Sequence, residues 1–552
     1  MNIVLINIRT SYIMSVPFGI TYLGAVLRDD NHKVKLFDIY PEDDLTEIID
    51  DIKSDFQPDL IGYSVMTTNF HRTMVINKIM KENFPNSLFC AGGIHPTVRP
   101  EETLRDLEVD FIVSGEGENI LKKICERIDN NLDFSDIKGI AFNKGDEFVA
   151  NQGLDIIDDL DTIPFPARNL LPVEKYLIPP GYIRSHFLNR VLSIYTSRGC
   201  PALCTYCNTA QMFNRKVRRR SVDNVISEIQ NLKDTYDIDG IYFHDETFTF
   251  QHKWVTELCE RLEEINIKWG CQTRVNLVHE QLLENMKKSG CVQIDFGIET
   301  GSASQLKLLR KGTQMKHQIK ALELTKKVGI RSFGSFMIGL PDETEEDILE
   351  TIQFLKQIRP DFSYFNLFTP FPGTEAAETA IKNGKLSEDY FSKDYDMLIE
   401  TNPLVNLSNM STETLVKYHK RLSNMVLFSN YTKVLTPHNI RYIAEALFVF
   451  IFSGKKFFKA TKRLMINRNI EKYIFQILSN YQQYKSRIKL ETNEKNYIPI
   501  SKQWTENRGE AHTRRRGEAD TRIKPILPDK RLVERPLHGI IENYKPTNVN
   551  KI

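Results

Sequence analysis

Long apolar runs are missing from this sequence. No stretch reaches about 18 uninterrupted apolar residues, so no helix is predicted to span a bilayer. Met1 to Ile8 lacks the basic start, apolar core and small-residue cleavage site of a secretory signal. An excess of either charge is missing too: Lys and Arg number 73 against 72 Asp and Glu, a net charge of +1, so any attraction to nucleic acid or anionic lipid has to be local. A disulfide framework is excluded, because of 8 cysteines Cys90, Cys125, Cys259, Cys271 and Cys291 stand alone along the chain. These absences predict a reduced, cytoplasmic protein. Its 552 residues suit about three or four domains of ~150 residues.

The other three cysteines are concentrated in Ser197-Arg198-Gly199-Cys200-Pro201-Ala202-Leu203-Cys204-Thr205-Tyr206-Cys207-Asn208. A structural zinc site normally takes four Cys or His ligands, usually as two spaced pairs, and no second C-x-x-C follows. Thiols spaced four and then three apart can instead wrap one corner of a cubane cluster, each thiolate taking one iron and leaving the fourth iron open. With Tyr206 just before its last cysteine, this C-x-x-x-C-x-x-C run closely resembles the signature of the radical S-adenosylmethionine (SAM) enzymes. The resemblance implies that Cys200, Cys204 and Cys207 hold a 4Fe-4S cluster whose open iron chelates SAM. It further implies that an electron from a donor such as flavodoxin or ferredoxin cleaves SAM there to a 5'-deoxyadenosyl radical.

Ahead of the loop, from Met1 to about Glu118, short apolar runs alternate with amphipathic segments of helix length, the pattern of an open parallel α/β sheet. The strands are predicted at Asn2 to Asn7, Lys33 to Asp38, Leu60 to Val65, Ser87 to Ala91 and Phe111 to Val113. Ligands of such Rossmann-like sheets bind beyond the carboxyl ends of the strands. This directs attention to Ser64, Thr67, Gly92, Gly93, His95, Gly115, Glu116 and Gly117, whose glycines let backbone approach a bulky ligand. No G-x-G-x-x-G opens the helix after the first strand, which excludes the nicotinamide dinucleotide fingerprint.

Pro17, Gly19, Tyr22 and Leu23, with the Gly-Gly-x-His and Gly-Glu-Gly-Glu turns, instead resemble the cobalamin-binding domain that precedes the radical domain in one large class of radical SAM enzymes. Carriers with a histidine cobalt ligand place it in Asp-x-His-x-x-Gly; here Asp30-Asn31-His32 runs on into Lys33-Val34-Lys35 with no glycine. The resemblance therefore implies base-off cobalamin without a histidine ligand, or a domain that has lost the cofactor. His95 reads equally well as a turn residue whose ring bonds nearby backbone.

The acidic and proline-rich stretch that follows, with Asp155, Asp158, Asp159 and Asp161, reads as a solvated linker. Strand and helix then repeat as a partial barrel of six units, with strands at Val191 to Tyr195, Gly240 to His244, Lys268 to Thr273, Val292 to Ile298, Arg331 to Ile338 and Phe362 to Phe368. Functional loops of parallel units gather at the strands' carboxyl ends. There Asp245 and Glu246 suit the SAM amino group, Arg274 a carboxylate and Glu299 ribose hydroxyls, while Gly339 offers backbone to adenine. These positions also match the radical SAM pattern.

The expected organisation is a cobalamin-binding-like Rossmann domain over 1–135, a linker over 136–189, a radical SAM partial (β/α)6 barrel over 190–385, a helical region over 386–485 and a polar, basic, disordered tail over 486–552. Helices are predicted at Thr412 to Leu427, His438 to Phe452 and Lys455 to Ile474. The apolar run from Ala446 with its following lysines reads as helix packing, a peripheral membrane contact through 446–459 being the alternative. The resemblance, covering about Met1 to Thr374, implies a cobalamin-dependent radical SAM methyltransferase acting on an unactivated carbon of a small or lipid-like intermediate. An oxidative cyclase resembling the anaerobic magnesium-protoporphyrin ester cyclase is the alternative. An iron-sulfur redox sensor or nucleic-acid-binding regulator ranks below both, since the tail shows no aromatic stacking platform.

Overall fold

The computed structural model describes residues 1–10, 15–41, 43–177, 190–387 and 405–434 together with a few single positions. Its first sheet is built on Asn2–Ile8 (β1), whose apolar run from Ile3 to Ile6 suits a strand covered on both faces. Lys33–Ile39 (β2), Leu60–Ser64 (β3), Leu88–Gly92 (β4) and Phe111–Val113 (β5) join it in parallel, in the order β2-β1-β3-β4-β5. In this doubly wound order the strand sequence reverses at β1 and β3, where ligand crevices form. Ile3 and Leu5 pack on one side, Val4, Ile6 and Ile8 on the other.

The stretch read as linker contains a hairpin. Ile140–Lys144 (β6) pairs antiparallel with β5, and Glu147–Ala150 (β7) pairs with β6, extending the sheet to seven strands. Its two-residue turn has Gly145 at φ 65°, as tight hairpins need. Short strands with only Ile140 and Ala141 well buried left little periodicity to read.

The second sheet has six parallel strands in sequential order: Val191–Ile194 (β8), then, after the two-residue pair Ser197–Arg198 (β9) and Arg218–Arg219 (β10), Gly240–Phe243 (β11), Lys268–Thr273 (β12), Cys291–Glu299 (β13), Arg331–Ile338 (β14) and Phe362–Leu367 (β15). Some of the helices between the strands begin where side-chain caps satisfy their first amides. Ser221 accepts from Asn224 N, and Thr344 with Asp347 forms a capping box. Six strands leave the barrel open, and the helix Thr412–Val434 covers the outer edge. Asn430 pairs with both backbone groups of Ser363 on β15, and His419 bonds Phe365 O at 2.9 Å. Leu415, Leu422 and Val426 bury the helix against the sheet. One apolar cluster runs from Ile3 and Leu5 through Leu192 and Ile241 to Leu422, so the two sheets share a core.

The helices expected from 438 and 455, the 446–459 segment and the 486–552 tail lie outside the described residues. Among the described residues no helix is long and apolar enough to cross a membrane.

Candidate active site

The cysteine loop leaves the sheet through Gly199, whose φ is 94° and where a Cβ would lie 2.2 Å from Lys216 O. Only glycine turns the chain there. The loop is tied down by backbone bonds from Thr205 N to Leu309 O and from Ala376 N to Thr205 O, at 3.1 and 2.9 Å. Asn208 and Gln211 donate to Pro372 O and Gly373 O, so the turn after β15 supports the loop. Cys200, Cys204 and Cys207 line one cavity of about 110 Å³ with Thr209, Arg215 and Arg310, and all three are free thiols. Among the described residues no three His, Cys, Asp or Glu side chains converge on a single ion. Arg274 Nη1 stands 3.7 Å from Cys204 Sγ, which places a positive charge beside the sulfur. The donor set therefore fits an iron-sulfur cluster.

The strand ends divide into residues that face this region and residues spent on structure. Asp245 is fully buried, and its oxygens accept from Thr196 N at 2.6 Å, Ser197 N at 3.0 Å and the Thr196 hydroxyl. It clamps β11 to the start of the cysteine loop and does not line the cavity between the sheets, a structural use in place of the amino-group role expected of it. Its neighbour points the other way. Glu246 lines the cavity between the sheets, its Oε2 has no hydrogen-bond partner among the described residues, and burial pushes its carboxyl up to about 7. Such an acceptor suits an incoming ammonium group.

Glu299 sits at a register shift of β13 with φ 67°, a strained turn that re-aims its side chain. Its Oε1 accepts from Tyr206 OH at 3.0 Å and from Lys311 Nζ at 2.7 Å. Burial, then the Glu299 charge, holds the Tyr206 phenol protonated as the donor, its pKa well above the ordinary value. Lys311 was not singled out from the sequence; a lysine before Gly312 in a short interhelical loop is a weak signal on its own. Gly339 differs from its expected role as an open cradle. Its amide donates to Glu343 Oε2 at 2.6 Å, and Leu415 fills the space a Cβ would take, 2.9 Å away. Glu343, also missed, carries a carboxyl that burial pushes up to about 8.

A second cavity, of about 220 Å³, opens at the carboxyl ends of β3, β4 and β5. Ser64, Gly92, Gly93, Gly115, Glu116 and Gly117 form one wall, and Tyr195, Arg198, Phe213 and Glu246 of the barrel form the other. Gly93 has φ 112° with Val65 O only 2.7 Å from a would-be Cβ, and Gly115 has φ 75°, so bare backbone faces the cavity by necessity. Among the described residues no histidine lines it. His95 is fully buried, Nδ1 3.2 Å from the Thr67 hydroxyl and its ring 4.3 Å from Phe70; burial lowers it to about 3. Thr67 and His95 thus form a turn behind the wall, correcting the expectation that they contact the ligand. His32 lies at the amino end of β2, 3.2 Å from the terminal amine of Met1, at the opposite end of the sheet. A glycine wall, apolar neighbours and the absence of imidazole fit a flat macrocycle bound without a histidine ligand. The volume is below the roughly 300–1,000 Å³ that encloses a whole ligand, so the cavity accounts for part of such a seat.

Glu116 lines this cavity but is already held. It accepts from Arg198 at 2.7 Å, from Ile157 N at 2.9 Å and from Arg218. Arg198 also binds Glu118 at 2.5 Å and lies 5.2 Å from the Tyr22 ring centroid. The Gly-Glu-Gly-Glu turn is therefore an ion-paired joint to the two short strands that flank the cysteine loop, which replaces the cofactor-contact role expected of Glu116.

Comparison with known proteins agrees with this division. The Radical SAM superfamily pattern matches residues 194–355, and the B12 binding domain pattern matches residues 4–124. An uncharacterized methyltransferase of Pyrococcus horikoshii is 32% identical over 73% of this chain and 85% of its own. The anaerobic magnesium-protoporphyrin IX monomethyl ester cyclase of Rubrivivax gelatinosus is 29% identical over 64% of each chain. The structure of the cobalamin-dependent SAM radical enzyme OxsB, with aqua-cobalamin and SAM bound, aligns with TM-score 0.65 and 18% identity over 90% of this chain and 81% of that one, a likeness of fold. The chain belongs to the radical SAM superfamily, in the class whose radical domain follows a B12-binding domain, and is a cobalamin-dependent radical SAM enzyme.

Proposed function

We propose that this enzyme transfers a methyl group to an unactivated carbon of a small or lipid-like molecule in a reduced cytoplasm. When bound, the cluster with SAM supplies a hydrogen-abstracting radical, and cobalamin supplies the methyl group. The observation that carries the reading is the shared wall: Glu246 and Arg198, next to the cysteine loop, face the glycine turns of the B12-binding sheet across one cavity.

The chain's own residues position and screen. Cys200, Cys204 and Cys207 provide the thiolates, with Arg274 offsetting their charge. Glu246 is proposed to accept from the SAM amino group. Glu299, held through one oxygen by Tyr206 and Lys311, is proposed to present the other to the ribose hydroxyls. Gly92, Gly93, Gly115 and Gly117 offer backbone to the corrin, and Phe213 and Tyr195 help keep water out.

The test is anaerobic reconstitution with iron, sulfide and cobalamin, followed by reaction of wild type and Cys204→Ala with methyl-labelled SAM and a metabolite extract. Wild type is expected to form deoxyadenosine and a labelled product, and the variant neither. Deoxyadenosine without transferred label would sink methyl transfer and favour the cyclase chemistry; SAM cleavage retained in the variant would remove the role of the cysteines.

A further inference from the structure

The reductant has to reach the cysteine loop from outside, and one face of the loop is shaped for it. A groove of about 660 Å³ runs between Leu203 and the helices Ala303–Leu308 and Met315–Val328. Leu203, which directly precedes Cys204, is 50% exposed, and Leu308 is 56% exposed. Lys307, Arg310 and Lys316 line the groove, and among the described residues none that lines it is acidic. Arg310 is paired with Glu375, whereas Lys307 and Lys316 form no ion pair among the described residues. On a chain of net charge +1 this is a local cationic patch around exposed leucine.

The groove also reaches the thiols. Arg310 lines both the groove and the cysteine cavity. Lys311 O, beside groove residue Gly312, accepts from Arg274 Nη2, and Arg274 Nη1 stands 3.7 Å from Cys204 Sγ. Thr205 N to Leu309 O holds the loop against the groove's helix.

We propose that this groove is the docking surface for a small acidic one-electron carrier of the flavodoxin kind; the proposal rests on the reading that the three cysteines hold a redox cluster. Acidic residues around the donor's flavin meet Lys307 and Lys316, and the apolar edge of the flavin ring meets Leu203. A flavin exposes such an apolar edge, which a cubane enclosed by its own protein does not, and this favours flavodoxin over ferredoxin. The reduced flavin loses one electron, the cluster gains it, and no bond is made or broken at the interface. Small, steered contacts of this type are common in electron transfer and weaken with salt.

The experiment uses the reconstituted full chain. Carbodiimide cross-linking to flavodoxin, read by mass spectrometry, is expected to join flavodoxin carboxylates to Lys307 or Lys316, and links confined to other lysines would overturn the proposal. In Lys307→Glu/Lys316→Glu, the flavodoxin concentration giving half-maximal SAM cleavage is expected to rise about tenfold at low salt, while cleavage driven by reduced methyl viologen stays within about twofold of wild type. An unchanged flavodoxin dependence would overturn the proposal, as would ferredoxin docking here in flavodoxin's place. Failure of viologen to drive any cleavage in wild type would instead remove the radical reading, with the cross-links still deciding the docking face.

Discussion

Replacing Arg198 with Met cuts the joint between the Gly-Glu-Gly-Glu turn and the short strand before the cysteine loop. Glu116 keeps Arg218, but Glu118 loses its ion-pair partner, and these two carboxylate side chains are 2% and 7% exposed. Burial acts to raise Glu118; the charge and hydrogen bonds of Arg198 outweigh it and hold the carboxyl below its ordinary value. Removing one partner of a buried pair costs about 3–5 kcal/mol, and the lower end applies because Met retains much of the apolar stem. In wild type the depressed pKa means that the pair's stabilisation is complete above the unfolded carboxyl value of about 4.3 and is lost as pH falls through the folded value. In Arg198→Met, burial without the cation sets Glu118 above about 4.3 instead, so the penalty is greatest near neutrality and shrinks toward acid, where Glu118 binds a proton in both states. Thermal unfolding of wild type, Arg198→Met, Glu118→Leu and the double variant at pH 7.5 and pH 5 tests this. At ~2–4 °C per kcal/mol, a loss of about 3 kcal/mol lowers the midpoint by about 6–12 °C at the higher pH, less at the lower. The double variant is expected to recover most of the loss, since it leaves no stranded carboxylate. An equal loss at both pH values, or a double variant no better than Arg198→Met, would refute the reasoning.

Glu246 gives a prediction in the binding of SAM. With its carboxyl raised to about 7 in the free enzyme, an ammonium group binds the ionised form, so SAM affinity measured by calorimetry should rise about fivefold from pH 6 to pH 7, reach about tenfold by pH 8 and then level off; Glu246→Gln should bind about tenfold more weakly at pH 8 and lose that slope. A wild-type affinity flat across this range would exclude Glu246 as the ammonium acceptor. For the B12 side, paramagnetic resonance of the cobalt(II) form bound to the enzyme should show no coupling to a protein nitrogen, because no histidine among the described residues lines the cavity. A nitrogen triplet contributed by the protein would show that a histidine reaches the metal.

The strands and the cysteine loop were legible because both signals are local. Parallel strands covered on two faces read as short apolar runs, as Ile3 to Ile6 of β1 does, and the spacing of Cys200, Cys204 and Cys207 lies within eight residues. The orientation of the acidic residues was not legible. Asp245 and Glu246 are adjacent, so at a strand end they point to opposite sides, and either could have faced the ligand. Thr196, 49 positions away, decides the matter by filling the oxygens of Asp245 and leaving Glu246 to the cavity. The same holds for Glu116, whose partners Arg198 and Arg218 stand 82 and 102 positions on. Read alone, a Gly-Glu-Gly-Glu turn beyond a Rossmann strand looks like ligand contact, since the glycines are indeed at the cavity. Only the meeting of two distant segments shows that the carboxylates between them are countercharges for arginines on the strands that flank the cysteine loop. The glycines of this turn thus line the cavity while its glutamates serve the joint, and any shift of the strand pair flanking the cysteine loop relative to the B12-binding sheet has to break buried ion pairs first.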